Sequence, residues 1–319
     1  MRRLLRCGYL LVWVILGGPA VGHAAGAGHA AAPPWSAPIF TGRGFTVPGV
    51  DNVPDLHGDI NRPQLVVFFA GNQYMVVNDL IKAFGKGRHR STRVFAETLP
   101  PGILARQIKA GALVIGNMRI TLAPDVYTAG RGRIRRLQAR RHLFGETVDY
   151  ARNRLAIMTY RGNPDKIAGL RDLARGHLHL CMPNPRWEGI ARNAIIPALR
   201  SLGGSALVKR IYAAKRDRGE TYLTRVHHRE TPLRIMARRC DAGVVWYTEA
   251  YFHARLAGHP TALVTIPNEH NHLVTYTAAA LRSAPHAKLA AQFLRFLRGP
   301  VAQRIYRHYG FLPPPPTNR

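Results

Sequence analysis

Five short segments carry residue types that could hold a negatively charged group. Ala70-Gly-Asn-Gln73 follows an apolar run and precedes a helical pattern, so Asn72, Gln73 and the local backbone N–H groups could face an anion. Glu97-Thr-Leu-Pro-Pro-Gly102 repeats the arrangement with Thr98 and the Gly102 amide. Met182-Pro-Asn-Pro-Arg-Trp-Glu-Gly189 offers Asn184 and Glu188, and Val245-Trp-Tyr-Thr-Glu249 offers Trp246 and Tyr247. His228-Arg-Glu-Thr231 precedes another helical stretch and adds His228 and Thr231. Each alone fits an ordinary turn. Converging on one cleft, they would aim several helix dipoles at one anion. Arg225, His228 and Arg229 could serve a carboxylate or phosphate instead. A metal site is a second possibility. His227, His228, His270 and His272 could form it, and Glu188, Glu249, Tyr247 and Tyr251 could extend it into a hard-cation or ferric pocket. No G-x-S-x-G elbow, phosphate-loop lysine motif or H-E-x-x-H is present, so no enzyme motif supports a catalytic reading.

The elements that must position these loops alternate. Leu65-Val-Val-Phe-Phe69 reads as a buried parallel strand, and Met75 to Phe84 has helical spacing. Thr92–Ala96 and Asp125–Thr128 are strand signals, each followed by a helical stretch at Ile103–Ala110 and Ile134–Arg141. A second block begins at Asn153–Met158. It continues through a short helix at Leu170–Ala174, a strand ending at Cys181, a helix from about Glu188 to Leu202, and a strand at Val244–Trp246. Thr231-Pro232 reads as an N-cap with proline at the first helical position. Thr275–Leu281 is a strand able to return to the first block, and helices at about His286–Arg298 and Pro300–Tyr309 close the chain. Such alternation predicts an α/β fold with mostly parallel sheets flanked by helices, whose ligands sit at the carboxyl ends of strands.

The 319 residues include 46 Lys+Arg against 17 Asp+Glu, a formal charge of +29. The basic residues are spread along the chain, with denser clusters at Arg131–Arg141 and Arg225–Arg239 and no aromatic-interleaved stripe. That pattern argues against a nucleic-acid partner and allows either a simply cationic surface or a field that attracts anions. Met1-Arg-Arg-Leu-Leu-Arg6 followed by an apolar stretch to Val21 has the layout of a cleaved secretory leader, 1–25. Residues 26–63, rich in Ala, Gly and Pro, read as an irregular arm on the globular body. Cys181 would end one parallel strand and Cys240 start another, on opposite edges of the sheet, so two buried free thiols are expected.

From Glu97 onward the order of segments resembles the type II periplasmic substrate-binding proteins, and within them the molybdate-binding group. The resemblance is carried by Gly102-Ile-Leu-Ala-Arg-Gln-Ile108, Pro124-Asp-Val-Tyr127, Tyr150-Ala-Arg-Asn-Arg-Leu-Ala156, Gly162-Asn-Pro164, Cys240-Asp-Ala-Gly-Val-Val-Trp246, Ala290-Ala-Gln-Phe-Leu-Arg-Phe-Leu297 and Tyr309-Gly-Phe-Leu-Pro313. It implies two lobes, 64–154 with 274–319 and 155–273, closing on a small oxyanion, molybdate- or tungstate-like. It also implies delivery to a membrane ABC permease, a periplasmic location, no catalytic activity and no cofactor; a monomer is expected. Pro100 and Pro101 stand where the family tends to show serines, and Trp246 where it shows a tyrosine. These departures leave an organic anion, or a sensory role on the same fold, as alternatives.

Overall fold

The structure is a computed structural model that describes residues 43–44, 55–86, 91–115, 118–225, 227 and 229–316. The expected leader at 1–25, most of the 26–63 segment read as an arm, and His228 lie outside the described residues.

Two sheets organise the chain. The first contains β1 (Arg43–Gly44), β2 (Asp55–Gly58), β3 (Leu65–Ala70), β4 (Val94–Leu99), β7 (Val126–Gly130), β8 (Phe144–Asn153) and β14 (Val274–Leu281), in the order β1-β2-β4-β3-β7-β14-β8. A hairpin of β5 (Ala112–Ile115) and β6 (Met118–Thr121) stands apart from it. The second sheet contains β9 (Leu155–Tyr160), β10 (Leu180–Met182), β11 (Thr221–Leu223), β12 (Ala242–Trp246) and β13 (Thr261–Thr265), in the order β11-β10-β12-β9-β13. The parallel pairing anticipated from the strand–helix alternation is found where β3 meets β4 and β7, and where β10 meets β11 and β12. Antiparallel strands are added around these cores by the chain passing between sheets (β8, β9, β14), by β13 and by the arm, so both sheets are mixed.

The continuous apolar run of β3 is explained by cover on both faces. Leu65, Val67 and Phe69 join one core with Val76, Val77 and Leu80 of α1 (Tyr74–Phe84). The same core takes in Phe293 and Leu297 of α8 (Ala287–Arg298) and Tyr306 of α9 (Pro300–His308). Val66 and Phe68 point the other way, toward Leu104 of α2 (Pro101–Ala110) and Ile134 of α3 (Arg131–Arg141). The two-residue period of a strand sorts alternate residues to opposite cores. In the second sheet Leu155 and Ile157 face the side of α4 (Ile196–Lys209), and Ala156 and Met158 face the side of α6 (Glu230–Met236).

The chain passes between the sheets twice. β8 ends at Asn153 and β9 begins at Leu155, leaving Arg154 alone between them. The return lies between Thr265 and Val274, and there Asn271 clamps the other crossing: its Oδ1 accepts from Leu155 N at 2.8 Å and its Nδ2 donates to Leu155 O at 2.9 Å.

Three expectations are corrected. The end of the arm is not irregular: β2 pairs antiparallel with β4, because an extended segment satisfies the exposed edge of the sheet. The expected free thiols are joined as Cys181–Cys240, with Cα atoms 5.8 Å apart, inside disulfide range. β10 is only three residues long and Leu180 pairs with Ala242, so Cys181 lies beside the segment that precedes β12. Thr231 is not a helix cap. Helix α6 starts at Glu230, whose carboxylate accepts from Arg225 N at 2.7 Å, closing the turn one residue earlier than Thr231 would. The helix expected from about Glu188 does begin there, at Gly189; it passes through a π-helical turn, Ala191–Ile195, into α4, which kinks at Gly203 and Gly204 and runs past Leu202 to Lys209.

Candidate functional site

Parallel pairing makes β3, β4 and β7 finish on the same edge of the first sheet, and each hands over to a helix there. A 3₁₀ turn, Gly71–Gln73, leads into α1; Pro101 opens α2; Arg131 opens α3. Trp187–Ile190, Arg192, Asn193, His227 and Trp246 face them from the second sheet, and Val274, Thr275 and Tyr276 complete the wall. Together they enclose a cleft of about 550 Å³. Gly71 is required where two of these loops touch: a Cβ there would come within 3.0 Å of the Leu99 carbonyl carbon. Pro100 and Pro101 lack N–H groups, so the first amide that α2 can offer belongs to Gly102.

Charge dominates the lining. Arg106, Arg131, Arg133, Arg136 and Arg192 line the cleft, and Glu188 is the single carboxylate among the lining residues. The Arg133 guanidinium lies 3.7 Å from where a Cβ on Gly102 would sit, so lack of a side chain there leaves room for it. Arg131 pairs with Asp149, yet its Nε is buried without an acceptor. Arg192 rests on the Pro185 and Trp187 carbonyls at 2.7 and 3.4 Å. Glu188 is buried and held inward, accepting from Thr224 Oγ1 and from Asn184 N at 3.1 Å.

Of the residues anticipated from sequence, the cleft gathers Asn72, Gly102, Glu188 and Trp246. Asn72 Nδ2 donates to the Tyr276 hydroxyl, and Trp246 meets the same ring edge-on at 6.4 Å between centroids. Five others have different work. Gln73 is buried against the Tyr150 hydroxyl at 2.5 Å, and Tyr306 donates to it at 3.3 Å. Thr98 donates to Asp55. Asn184 holds its own loop through Arg186 N at 2.9 Å. Thr231 donates to the Cys181 carbonyl at 3.3 Å. Tyr247 stacks on Tyr251, with the Arg154 guanidinium 4.0 Å above its ring. His228 is outside the described residues. Among the described residues no three His, Cys, Asp or Glu side chains are placed to hold a metal ion.

Sequence reasoning does not reach the arginines as site residues, although Arg131-Gly-Arg133 stands directly after a strand. It passes over Tyr276 and offers His272 only as a metal ligand; both join the lining because the return segment runs along the cleft. Burial lowers the His272 pKa and raises that of the Tyr276 hydroxyl, so both favour their neutral forms.

A second junction lies behind the Gly71 loop. Arg229, just ahead of α6, places Nη1 2.7 Å from Asp55 Oδ2 and donates Nη2 to the Gly71 carbonyl. Its guanidinium lies 4.2 Å over the Tyr74 ring. The Tyr74 hydroxyl is 3.4 Å from His253 Nε2, and His253 Nδ1 is 2.8 Å from His259 Nδ1. Burial, with His259 and Arg229 nearby, pushes His253 down to about 3, so it is neutral.

Two helix-flanked sheets, joined by short crossings and facing each other across a cleft at strand ends, define a two-lobe solute-binding fold of the type II periplasmic class. Residues 65–312 match the family described as bacterial extracellular solute-binding protein, and the chain belongs to that family. Its members are non-enzymatic components of solute transport that work with an ABC permease. Solved structures with the same fold include the sulfate-binding protein SubI from Mycobacterium tuberculosis. That likeness has a TM-score of 0.64 and 18% identity, over 78% of this chain and 85% of that one. The periplasmic molybdate-binding protein of Azotobacter vinelandii aligns with a TM-score of 0.61 and 18% identity, over 79% and 100%. Iron-bound HitA from Pseudomonas aeruginosa aligns at 0.59 and 15%, over 80% and 89%. No curated protein sequence matches. Among the described residues no helix is long and apolar enough to cross a membrane.

Proposed function

We propose that the protein is a periplasmic receptor, exported by the leader at 1–25, that captures an anionic solute between its lobes and passes it to an ABC permease. The lobes are 64–154 with 274–319, and 155–273. Closure is a hinge motion about Arg154 and the 266–273 segment, driven by tighter binding in the closed state. The observation that carries this reading is five arginines against one carboxylate in the cleft lining. The helix starts at Gly71, Pro101 and Arg131 add their positive dipole ends on the same side. An oxyanion group suits that field, and molybdate- or tungstate-like ions are its simplest form. The molybdate- and sulfate-binding neighbours support it. A ferric ion is disfavoured because the guanidinium groups repel a cation and the Tyr276 hydroxyl is engaged with Asn72.

Titration calorimetry with molybdate, tungstate, sulfate, inorganic phosphate and ferric citrate tests the reading. Heat from at least one oxyanion, weakened as salt rises, is the expected result. Heat from ferric ion alone would reject it.

A further inference from the structure

Surface arginines are kept differently in the two lobes. In the second lobe, exposed Arg216 lies 2.7 Å from Asp217 and exposed Arg218 lies 2.8 Å from Glu220. Residues 101–145 of the first lobe contain nine Lys and Arg against one acid, Asp125. Asp125 is buried, and its carboxylate accepts from Val66 N at 2.9 Å and His286 N at 2.7 Å. Four of the nine, Arg106, Arg131, Arg133 and Arg136, line the cleft. The other five, Lys109, Arg119, Arg135, Arg140 and Arg141, are exposed, and among the described residues none of them makes an ion pair. We propose that the end of this lobe farthest from the cleft is a docking face for an anionic phospholipid bilayer.

Placement is the first argument. Helices α2 and α3 both start at the cleft edge, and both lie on the Phe68 face of the sheet, where Leu104 and Ile134 pack. Their last turns therefore share the opposite end of the lobe, with Lys109 on one and Arg140 and Arg141 on the other. Arg119 of the hairpin donates to the Ala110 carbonyl at 2.7 Å, which holds it beside Lys109. Arg282, also exposed, follows β14, and its N donates to Leu143 O at 2.9 Å just past α3. Exposed Glu146, near the start of β8, borders the group. A helix end accepts a cation readily, but Arg136 and Arg140 are four residues apart, a like-charge spacing that weakens a helix. Fold stability alone does not account for so many.

The surrounding chemistry selects the partner. None of the large exposed apolar side chains, Trp187, Leu233, Leu273 and Val301, lies on these elements. A protein partner needs such an anchor at the centre of its interface, and a single-stranded nucleic acid needs aromatic rings to stack on. Bilayer headgroups ask only for clustered Lys and Arg near the surface. The two helices have 10 and 11 residues. Such lengths rise about 15 Å, beyond the roughly 8 Å over which charges act at physiological salt. A bilayer held at the far end leaves the cleft open to its guest.

The test is co-sedimentation of the mature chain from residue 26 with vesicles of phosphatidylcholine alone or with about 30% phosphatidylglycerol. Binding to the phosphatidylglycerol vesicles only, weakened as salt rises, is expected. Each charge near such a surface contributes about fivefold, so K109Q/R140Q/R141Q should bind about a hundredfold more weakly. R119Q/R282Q, on other elements, should lose about twentyfold and keeps the test decisive if the triple variant melts abnormally. R304Q/R307Q, at exposed positions of α9 on the other face of the sheet, should stay within about threefold of the parent. Oxyanion calorimetry should be unchanged in all three variants. Equal binding to phosphatidylcholine, no binding to either vesicle, or an equal loss in the α9 variant overturns the proposal. Capture of soluble inorganic polyphosphate without vesicle binding overturns it too, by giving the face to a different polyanion.

Discussion

Arg229 and the cleft arginines sit on either side of the Gly71 loop, yet they meet opposite conditions. Arg229 has its counter-charge in Asp55, its carbonyl in Gly71 and an aromatic face in Tyr74. The cleft arginines share Glu188 and Asp149 among five. One region is an internally balanced contact between the lobes; the other is an electrostatic deficit. Removing a partner should therefore destabilise the first, while the second should tolerate substitution and lose only its guest. Residues that hold a fold and residues that hold a ligand can thus share a type and a neighbourhood and differ in where their counter-charge resides.

The largest effect expected concerns a buried charge that has neither a cation nor a guest. Glu97, beside Thr98 on β4, accepts from Gln107 Nε2 at 3.0 Å, while Glu97 Oε2 and Gln107 Oε1 are both buried without a donor. Burial pushes its pKa up to about 8, and a proton on Oε2 lets both orphaned acceptors share one hydrogen bond. The folded state therefore holds a proton that the unfolded chain gives up near its ordinary value. Stability is greatest below the unfolded pKa, falls as pH rises toward about 8, and is level beyond. The loss across that window is on the order of 5 kcal/mol. Urea titrations between pH 4 and 9 should show this slope, and Glu97→Gln should flatten it.

Next in size is the platform beneath Arg229. Thr231 of α6 donates to the carbonyl of Cys181, whose disulfide to Cys240 closes a loop with a sequence separation of 59. Replacing both cysteines by serine should cost about 4 kcal/mol if chain entropy dominates, read as a lower urea midpoint. No change in midpoint would show that the bridge does not support the fold.

Asp55→Ala is expected to cost about 2–3 kcal/mol, since it strands Arg229, whose side chain is only 20% exposed. The double variant Asp55→Ala with Arg229→Met should recover part of that loss, and strict additivity would break the proposed pairing. At the small end, Arg136→Ala should change stability by about 0.5 kcal/mol or less while weakening anion binding. A stability loss like that of Asp55→Ala would erase the contrast between the two regions.

Much of this organisation is legible in the sequence, because local patterns carry it. The apolar run of β3, the helix that follows it and the loops at 70–73 and 97–102 follow from periodicity and turn residues, and those loops do open helices at the cleft. What stays hidden depends on partners far along the chain. Gln73 looks like a ligand residue until Tyr150 and Tyr306 are brought to it. Thr98 looks free until the arm supplies Asp55. The cysteines look distant because a three-residue strand cannot be measured from its flanking sequence. The arginines of α3 look like general surface charge until the fold shows that their helix begins at the cleft.

A lone residue between β8 and β9 leaves little slack at the waist of the molecule. Arg154 is further tethered, since its carbonyl accepts from Tyr247 N at 2.7 Å and its guanidinium covers the Tyr247 ring. Few torsions there can change without tearing a strand, so opening must proceed as a shallow, elastic flexing rather than a free swing. Stiffening or loosening that joint would alter how quickly a captured molecule escapes, and would do so without touching any group that grips it.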